Sequence, residues 1–201
     1  MRTLPKGAYC IVDDTGSQPP SSLVARFADG GAAVIQLRFK RLGAGAFLAA
    51  AREAKAICSG RALLLVNDRP DIARLSGADG VHLGQDDLPV AAARKLLGPD
   101  ALIGLSTHSD AELDASEGAD YVGFGPVFAT ASKPGQPLPP PHGLEGLRRA
   151  VRRARVPVVA IGGITAATVR SVAEAGAHCA AAIAELASHP ERVRDFAEAF
   201  R

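Results

Sequence analysis

Three short stretches carry the side chains best suited to chemistry. Gln36-Leu37-Arg38-Phe39-Lys40 sets an amide, a guanidinium and an ammonium at alternate positions. In a strand, alternate residues share one face. The trio suits an oligophosphate, because Arg can bond two oxygens at once and Lys acts as a point charge. The same pattern describes a polar strand end whose charges reach out to water, and the stretch by itself leaves the two readings even. Asn67-Asp68-Arg69 and His82-Leu83-Gly84-Gln85-Asp86-Asp87 each bring carboxylates to the end of an apolar run. Mg²⁺ takes oxygens from one or two carboxylates and completes its shell with phosphate oxygens and water. Asp68 and Asp87 are the candidate ligands. Each could instead cap a following helix; it is their pairing on adjacent strands that favours metal.

Weaker signals follow further along. Ser106, in Ser106-Thr107-His108, could bond a phosphate oxygen or a substrate nitrogen, whereas His108 reads as structural or capping. His82 reads as an interior histidine with a satisfied hydrogen bond. Thr130-Ala131-Ser132-Lys133 offers two hydroxyls and an ammonium that could wrap a phosphate. Gly162-Gly163, directly after an apolar run, lets backbone N–H groups approach an anion without side-chain obstruction.

The elements that must position these residues alternate regularly. Strands are expected at Ala8 to Val12, Ala32 to Leu37, Ala62 to Val66, Gly80 to Leu83, Leu102 to Leu105, Tyr121 to Phe124, Val156 to Ile161 and His178 to Ile183. Helices are expected at Ser21 to Asp29, Ala46 to Cys58, Pro70 to Leu75, Leu88 to Leu97, Ser109 to Glu117, Gly143 to Arg153, Thr165 to Ala175 and Pro190 to Phe200. Phe47, Ala50, Ala51, Ala54 and Ile57 share one face of the second helix. Ser109 and Glu112 have capping-box spacing, and Gly176 stands where a left-handed helix cap belongs. This alternation is the pattern of a parallel sheet with crossovers. Eight repeats close into a (β/α)₈ TIM barrel, read as a single domain over residues 1–201. An open doubly wound sheet would carry a glycine fingerprint after its first strand; here Asp13-Asp14-Thr15-Gly16 stands there. In such a barrel the reacting groups sit at the C-terminal ends of the strands, which is where every stretch above falls. The longest loop, Pro126 to His142, holds six of the 14 prolines and reads as a lid.

Composition sets the remaining bounds. A net charge of +2 gives no general attraction to nucleic acid or membrane. Arg148, Arg149, Arg152, Arg153 and Arg155 read as a solvated helix face. Cys10, Cys58 and Cys179 have neither disulfide nor zinc spacing. With no apolar leader and no membrane-length apolar run, a cytoplasmic protein is expected.

The motifs taken together resemble thiamine-phosphate synthase and the related thiazole tautomerases. Gln36-Leu37-Arg38-x-Lys40, Asn67-Asp68, Gly80-Val81-His82-Leu83-Gly84-Gln85-Asp86-Asp87, Gly104-Leu105-Ser106, Gly118 to Gly123, Gly125-Pro126-Val127-Phe128, Thr130-x-Ser132-Lys133 and Val159 to Ile164 follow in order along nearly the whole chain. The resemblance implies a Mg²⁺-dependent transferase of thiamine biosynthesis. It would join hydroxymethylpyrimidine pyrophosphate to a thiazole phosphate and release pyrophosphate, by way of a pyrimidinylmethyl cation captured by the thiazole nitrogen. It further implies Arg38, Lys133 and Ser106 as catalytic residues and Asp68 and Asp87 as metal ligands. Arg38, Asn67, Lys133 and the metal would bind pyrophosphate, and Lys40 counts among the substrate-binding residues. Gln36 and Ser106 would orient the pyrimidine, and Thr130, Ser132, Gly162 and Gly163 would hold the thiazole phosphate. Self-association into a homo-oligomer is a further expectation from the resemblance. Ser132 replaces the family's usual threonine, and the run Ala180 to Glu185 departs more strongly: Ala184 lacks a hydroxyl, and Glu185 brings a negative charge towards the phosphate unless it points away. Two alternatives follow from these departures and the kinship, a thiazole tautomerase-like enzyme and a catalytically idle barrel that binds a phosphate ligand. Some tautomerases carry a catalytic histidine where Pro126 stands.

Overall fold

Eight short strands, nearly all apolar, wrap into a closed parallel barrel in the order β1 to β8, with β1 pairing to β8. The computed structural model describes residues 2–16, 18–130 and 140–201. The elements run β1 (Gly7–Asp13), α1 (Pro20–Asp29), β2 (Val34–Arg38), α2 (Ala44–Cys58), β3 (Leu63–Asn67), α3 (Pro70–Ser76), β4 (Gly80–Leu83), α4 (Val90–Leu97), β5 (Leu102–Thr107), α5 (Asp110–Asp114), β6 (Tyr121–Phe124), α6 (Gly143–Arg153), β7 (Val158–Ile161), α7 (Val169–Glu174), β8 (Cys179–Ala182), α8 (Ala184–Ser188) and α9 (Val193–Glu198). A 3₁₀ turn at Pro190–Arg192 precedes α9. The expected barrel is the observed one. No helix among the described residues is long and apolar enough to cross a membrane.

Parallel strands buried on both faces need apolar residues on both. The outward face, including Ile35, Leu37, Leu64, Val66 and Ile103, packs against the helices, whose inner faces supply Phe27, Phe47 and Phe196. The inward face fills the lumen with Tyr9, Ile11, Val34, Leu65, Leu102, Tyr121 and Val159. Cys10 and Cys179 are buried in strands and Cys58 at the end of α2; all three are free thiols.

Every strand bound lies within two residues of the sequence expectation. α6 has the expected bounds, and α1 and α3 each differ by one residue, but other helices differ more, for local reasons. α4 starts at Val90 instead of Leu88, because Pro89 occupies its N-cap. α5 stops at Asp114; just beyond it the Ser116 hydroxyl donates to the Leu113 carbonyl (2.7 Å) and Gly118 turns left-handed (φ +82°). α7 begins at Val169 instead of Thr165, because Thr168 Oγ1 accepts the Thr165 N–H (3.0 Å) and closes a turn ahead of it. The expected last helix is the 3₁₀ turn followed by α9. α8 was not expected at all. Ladder pairing ends at Ala182, and the good helix formers Ala184, Glu185, Leu186 and Ala187 then coil.

Candidate active site

Strand polarity carries one group of polar side chains to the C-terminal rim. Arg38 closes β2, with its guanidinium 3.8 Å from the Asp13 carboxylate on β1. Lys40 reaches across to ion-pair with Asp68, just past β3. Asp68 has φ +60°, the left-handed region that a non-glycine residue rarely adopts, and its N–H donates to the His82 carbonyl at 2.8 Å. Such an outlier persists only where its surroundings hold it. The Asp87 carboxylate comes from the loop after β4 and meets that of Asp68. Burial pushes the Asp87 carboxyl up, and its contact with Asp68 adds to this; the Gly84 N–H and the Lys40 charge pull the other way. Neither carboxylate caps a helix as the alternative required. Arg69 is the N-cap of α3 and Pro89 that of α4, and neither cap is a side-chain bond. Asp87 instead accepts the Gly84 N–H (2.7 Å) and so folds its own loop.

Asp14 was missed as a site-building residue. Burial raises its carboxyl, but the N–H groups of Arg41, Lys40 and Leu42 outweigh that and hold it low. The Arg41 N–H lies 2.6 Å from its Oδ2. Asp14 thereby shapes the loop that carries Lys40. The signal was its place directly after β1, which the sequence reading used only to argue against an open sheet.

Below the rim lies a polar layer. Gln36 and Asn67, both buried, face each other, with Gln36 Nε2 donating to Asn67 Oδ1 at 2.5 Å. Ser106 on β5 meets His82 Nε2 at 2.9 Å, while His82 Nδ1 meets the Tyr121 hydroxyl at 2.9 Å. His108 is held by Gly125 O at Nδ1 (2.6 Å), and its backbone N–H donates to Glu112 (2.6 Å). Ser109 does accept the Glu112 N–H (3.2 Å), so the capping box forms with its reciprocal bond shifted to His108.

On the other side of the rim a cavity of about 330 Å³ opens among His108, Thr130, Gly162, Gly163, Thr165 and Glu185. Gly162 and Gly163 have φ +100° and +63°. A Cβ on Gly162 would lie 2.6 Å from Pro126, and one on Gly163 2.4 Å from the Ala129 carbonyl oxygen. The pair therefore seats the loop after β6, which donates from Val127 and Phe128 to the Ile161 and Gly162 carbonyls (both 2.9 Å). This packing reason was absent from the sequence reading. Thr130 lines the cavity. Ser132, Lys133 and most of the expected lid lie outside the described residues.

The sequence now has known relatives to set beside this geometry. A family model described as thiamine monophosphate synthase matches residues 8–186. The chain belongs to the thiamine monophosphate synthase family. A thiamine-phosphate synthase from Anaeromyxobacter dehalogenans (strain 2CP-C) is 52% identical over 180 residues, covering 88% of this chain and 78% of that one. A thiamine-phosphate synthase from Myxococcus xanthus (strain DK1622) is 47% identical over 206 residues, covering 98% and 93%. Among solved structures, thiamine phosphate pyrophosphorylase from Pyrococcus furiosus superposes with a TM-score of 0.82 at 32% identity, covering 95% of each chain.

The departures after β8 acquire a physical account within this family. Glu185 ion-pairs with Arg192 at 2.7 Å and accepts the Ala166 N–H at 3.2 Å. Burial raises its carboxyl, and these partners more than offset that, leaving it below the usual carboxylate range. Its charge is thus neutralised by a residue seven positions on, in a turn the sequence reading took as part of a plain helix. Ala184 is exposed at the start of α8 and contributes no side-chain hydroxyl. The cluster of arginines on α6 behaves as a solvated face, with Arg148, Arg149 and Arg153 paired to Glu145, Asp110 and Asp114.

Proposed function

We propose that this protein is a thiamine-phosphate synthase, joining hydroxymethylpyrimidine pyrophosphate to a thiazole phosphate with loss of pyrophosphate. Membership of the family supports the reaction. The observation that carries the site assignment is the meeting of Asp68 and Asp87, from neighbouring βα loops, with Lys40 beside them.

The pair fits a divalent cation. Among the described residues, no three His, Cys, Asp or Glu side chains gather in a metal-binding group. A cage of protein ligands is not what Mg²⁺ needs, since it binds through one or two carboxylates plus phosphate oxygens and water. Two carboxylates in contact repel unless a proton or a cation lies between them. Asp68 and Asp87 would hold Mg²⁺, which when bound supplies positive charge to the departing pyrophosphate.

The chain's own residues do the rest in this reading. Arg38, Lys40, Asn67 and Lys133 bind and neutralise the pyrophosphate where its charge develops. Gln36 and Ser106 orient the pyrimidine in the polar layer beneath. Thr130 and the backbone at Gly162 and Gly163 take the thiazole phosphate in the adjoining cavity, and Ser132 is assigned to the same phosphate from the sequence. The attacking ring nitrogen is neutral, so no general base is required. The partners are small phosphorylated molecules, with no nucleic acid or membrane, in the cytoplasm. The pairing of Glu185 with Arg192 removes one of the two departures that favour an idle barrel; the hydroxyl missing at Ala184 is the other.

The test is direct. Purified protein with both substrates and Mg²⁺ should form thiamine phosphate, and chelation should stop it. Folded protein that yields no product under these conditions would end the proposal; interconversion of thiazole carboxylate isomers instead would support the tautomerase alternative.

A further inference from the structure

Six side chains, one from each of the strands β1 to β6, form a continuous hydrogen-bonded chain across the lumen. It runs from Asn67 to Gln36 (2.5 Å), Tyr9 (2.7 Å), Tyr121 (2.9 Å), His82 (2.9 Å) and Ser106 (2.9 Å). The two tyrosines lie fully inside the barrel, and neither reaches solvent. Both ends of the chain, Gln36 with Asn67 and Ser106, are residues assigned above to substrate.

Proton counting gives this chain a direction. A tyrosine hydroxyl has one proton to donate. Tyr9 donates to Gln36 Oε1, so the Tyr9–Tyr121 bond must use the Tyr121 proton. Tyr121 then has none left for His82, so His82 Nδ1 must carry a hydrogen and donate. A neutral imidazole has a single N–H, which leaves Nε2 as an acceptor, and Ser106 must donate to it. Burial pushes the Tyr121 hydroxyl well above 10, so loss of a proton does not break the sequence. The opposite direction is self-consistent only if every bond reverses. Gln36 and Asn67 would both flip their amides, and His82 would take the other tautomer. One ring therefore reports the polarity of all five bonds.

We propose that Tyr9, Tyr121 and His82 are positioning residues that lock this chain in one direction, leaving the Gln36 amide nitrogen as a donor at one end and the Ser106 oxygen as an acceptor at the other, both towards an aminopyrimidine. A ring nitrogen beside an exocyclic amine presents an acceptor and a donor to those two ends. A pyrimidinone, with ring N–H beside a carbonyl, presents the inverse and leaves buried polar groups mismatched, which a site built to hydrogen-bond its substrate rejects strongly. The ligand class rests on the synthase reading; the direction of the chain does not.

Two measurements test this. Nitrogen NMR of the His82 imidazole in the ligand-free protein at neutral pH should show the Nδ1–H tautomer. The Nε2–H tautomer, or an even mixture, overturns the proposal, and this arm uses no variant that might misfold. In steady-state assays, Tyr121→Phe should raise the KM for the aminopyrimidine pyrophosphate roughly tenfold, the effect of one lost hydrogen bond. The KM for the thiazole phosphate should stay unchanged, and preference for the amino over the oxo pyrimidine should fall by a similar factor. Equal change in both KM values, or unaltered preference, overturns the positioning role. Wild-type protein that shows the Nδ1–H tautomer yet makes no thiamine phosphate would sink the synthase reading and leave the chain's direction standing.

Discussion

A Cβ placed on Gly104 would lie 2.0 Å from Cζ of the Tyr121 ring. Gly104 and Tyr121 are register partners on β5 and β6, so the absent side chain of one is the space filled by the other. The ring cannot step aside, because its hydroxyl is tied to Tyr9 and to His82. Gly104→Ala should therefore overpack the lumen and cost about 2–3 kcal/mol, near the upper end for one added methyl in a packed core. Urea denaturation of the two proteins would measure it. A loss below about 0.5 kcal/mol would mean that the tyrosine pair is looser than the geometry requires.

The rim carboxylate Asp87 offers a cleaner separation of structure from function. It bonds the Gly84 N–H and also faces Asp68. Asp87→Asn keeps an oxygen for the amide while removing the charge. Thermal stability should change by less than about 1 kcal/mol, while kcat/KM falls by at least about 100-fold and the Mg²⁺ requirement rises. Arg38→Ala should show the same loss of turnover with little loss of stability, since Arg38 is half-buried at the mouth and its ion pair with Asp13 spans 3.8 Å. Wild-type turnover in either variant would remove that residue from the pyrophosphate site.

The barrel was legible because its strands are buried on both faces and so read as apolar runs between helical segments. Arg38, Lys40, Asp68 and Asp87 were legible because a parallel barrel sends every strand's C-terminal end to one rim. The Tyr9–Tyr121 contact was not. It joins residues 112 apart, and only the strand register, together with the gap at Gly104, brings them within 2.9 Å. The partner of Glu185 was hidden for the same kind of reason: a 3₁₀ turn brings Arg192 back beside it, and nothing in the local spacing announces that turn.

At the opposite end of the barrel, Asp79 is a buried carboxylate that accepts from Lys55 (2.7 Å) and from the Leu64 N–H (2.9 Å), with Arg2 also against it. It holds α2 to the start of β3. Removing it would strand a lysine and a backbone donor, and burial already holds the Lys55 ammonium below its usual range. Asp79→Ala should cost about 3 kcal/mol in denaturant titration, with kcat unchanged under conditions where the variant is folded. The N-terminal end of a barrel strand is a place for stability, not chemistry. A kcat loss matching that of Asp87→Asn would contradict this division.

The Glu185–Arg192 pair yields a test of sign. Glu185 lines the cavity assigned to the thiazole phosphate and Arg192 is paired to it, so together they present no net charge. Glu185→Gln would leave Arg192 uncompensated and the local field positive, so the KM for the thiazole phosphate should fall. Arg192→Ala would leave Glu185 uncompensated, and the same KM should rise. One unit charge about 8 Å from a phosphate in a partly wet site is worth about 1 kcal/mol, so each shift should be roughly fivefold. Both should shrink as salt is raised, while the KM for the pyrimidine pyrophosphate stays level. Shifts of the same sign in the two variants would show that the pair acts by holding the Ala166 loop in place and not by its charge.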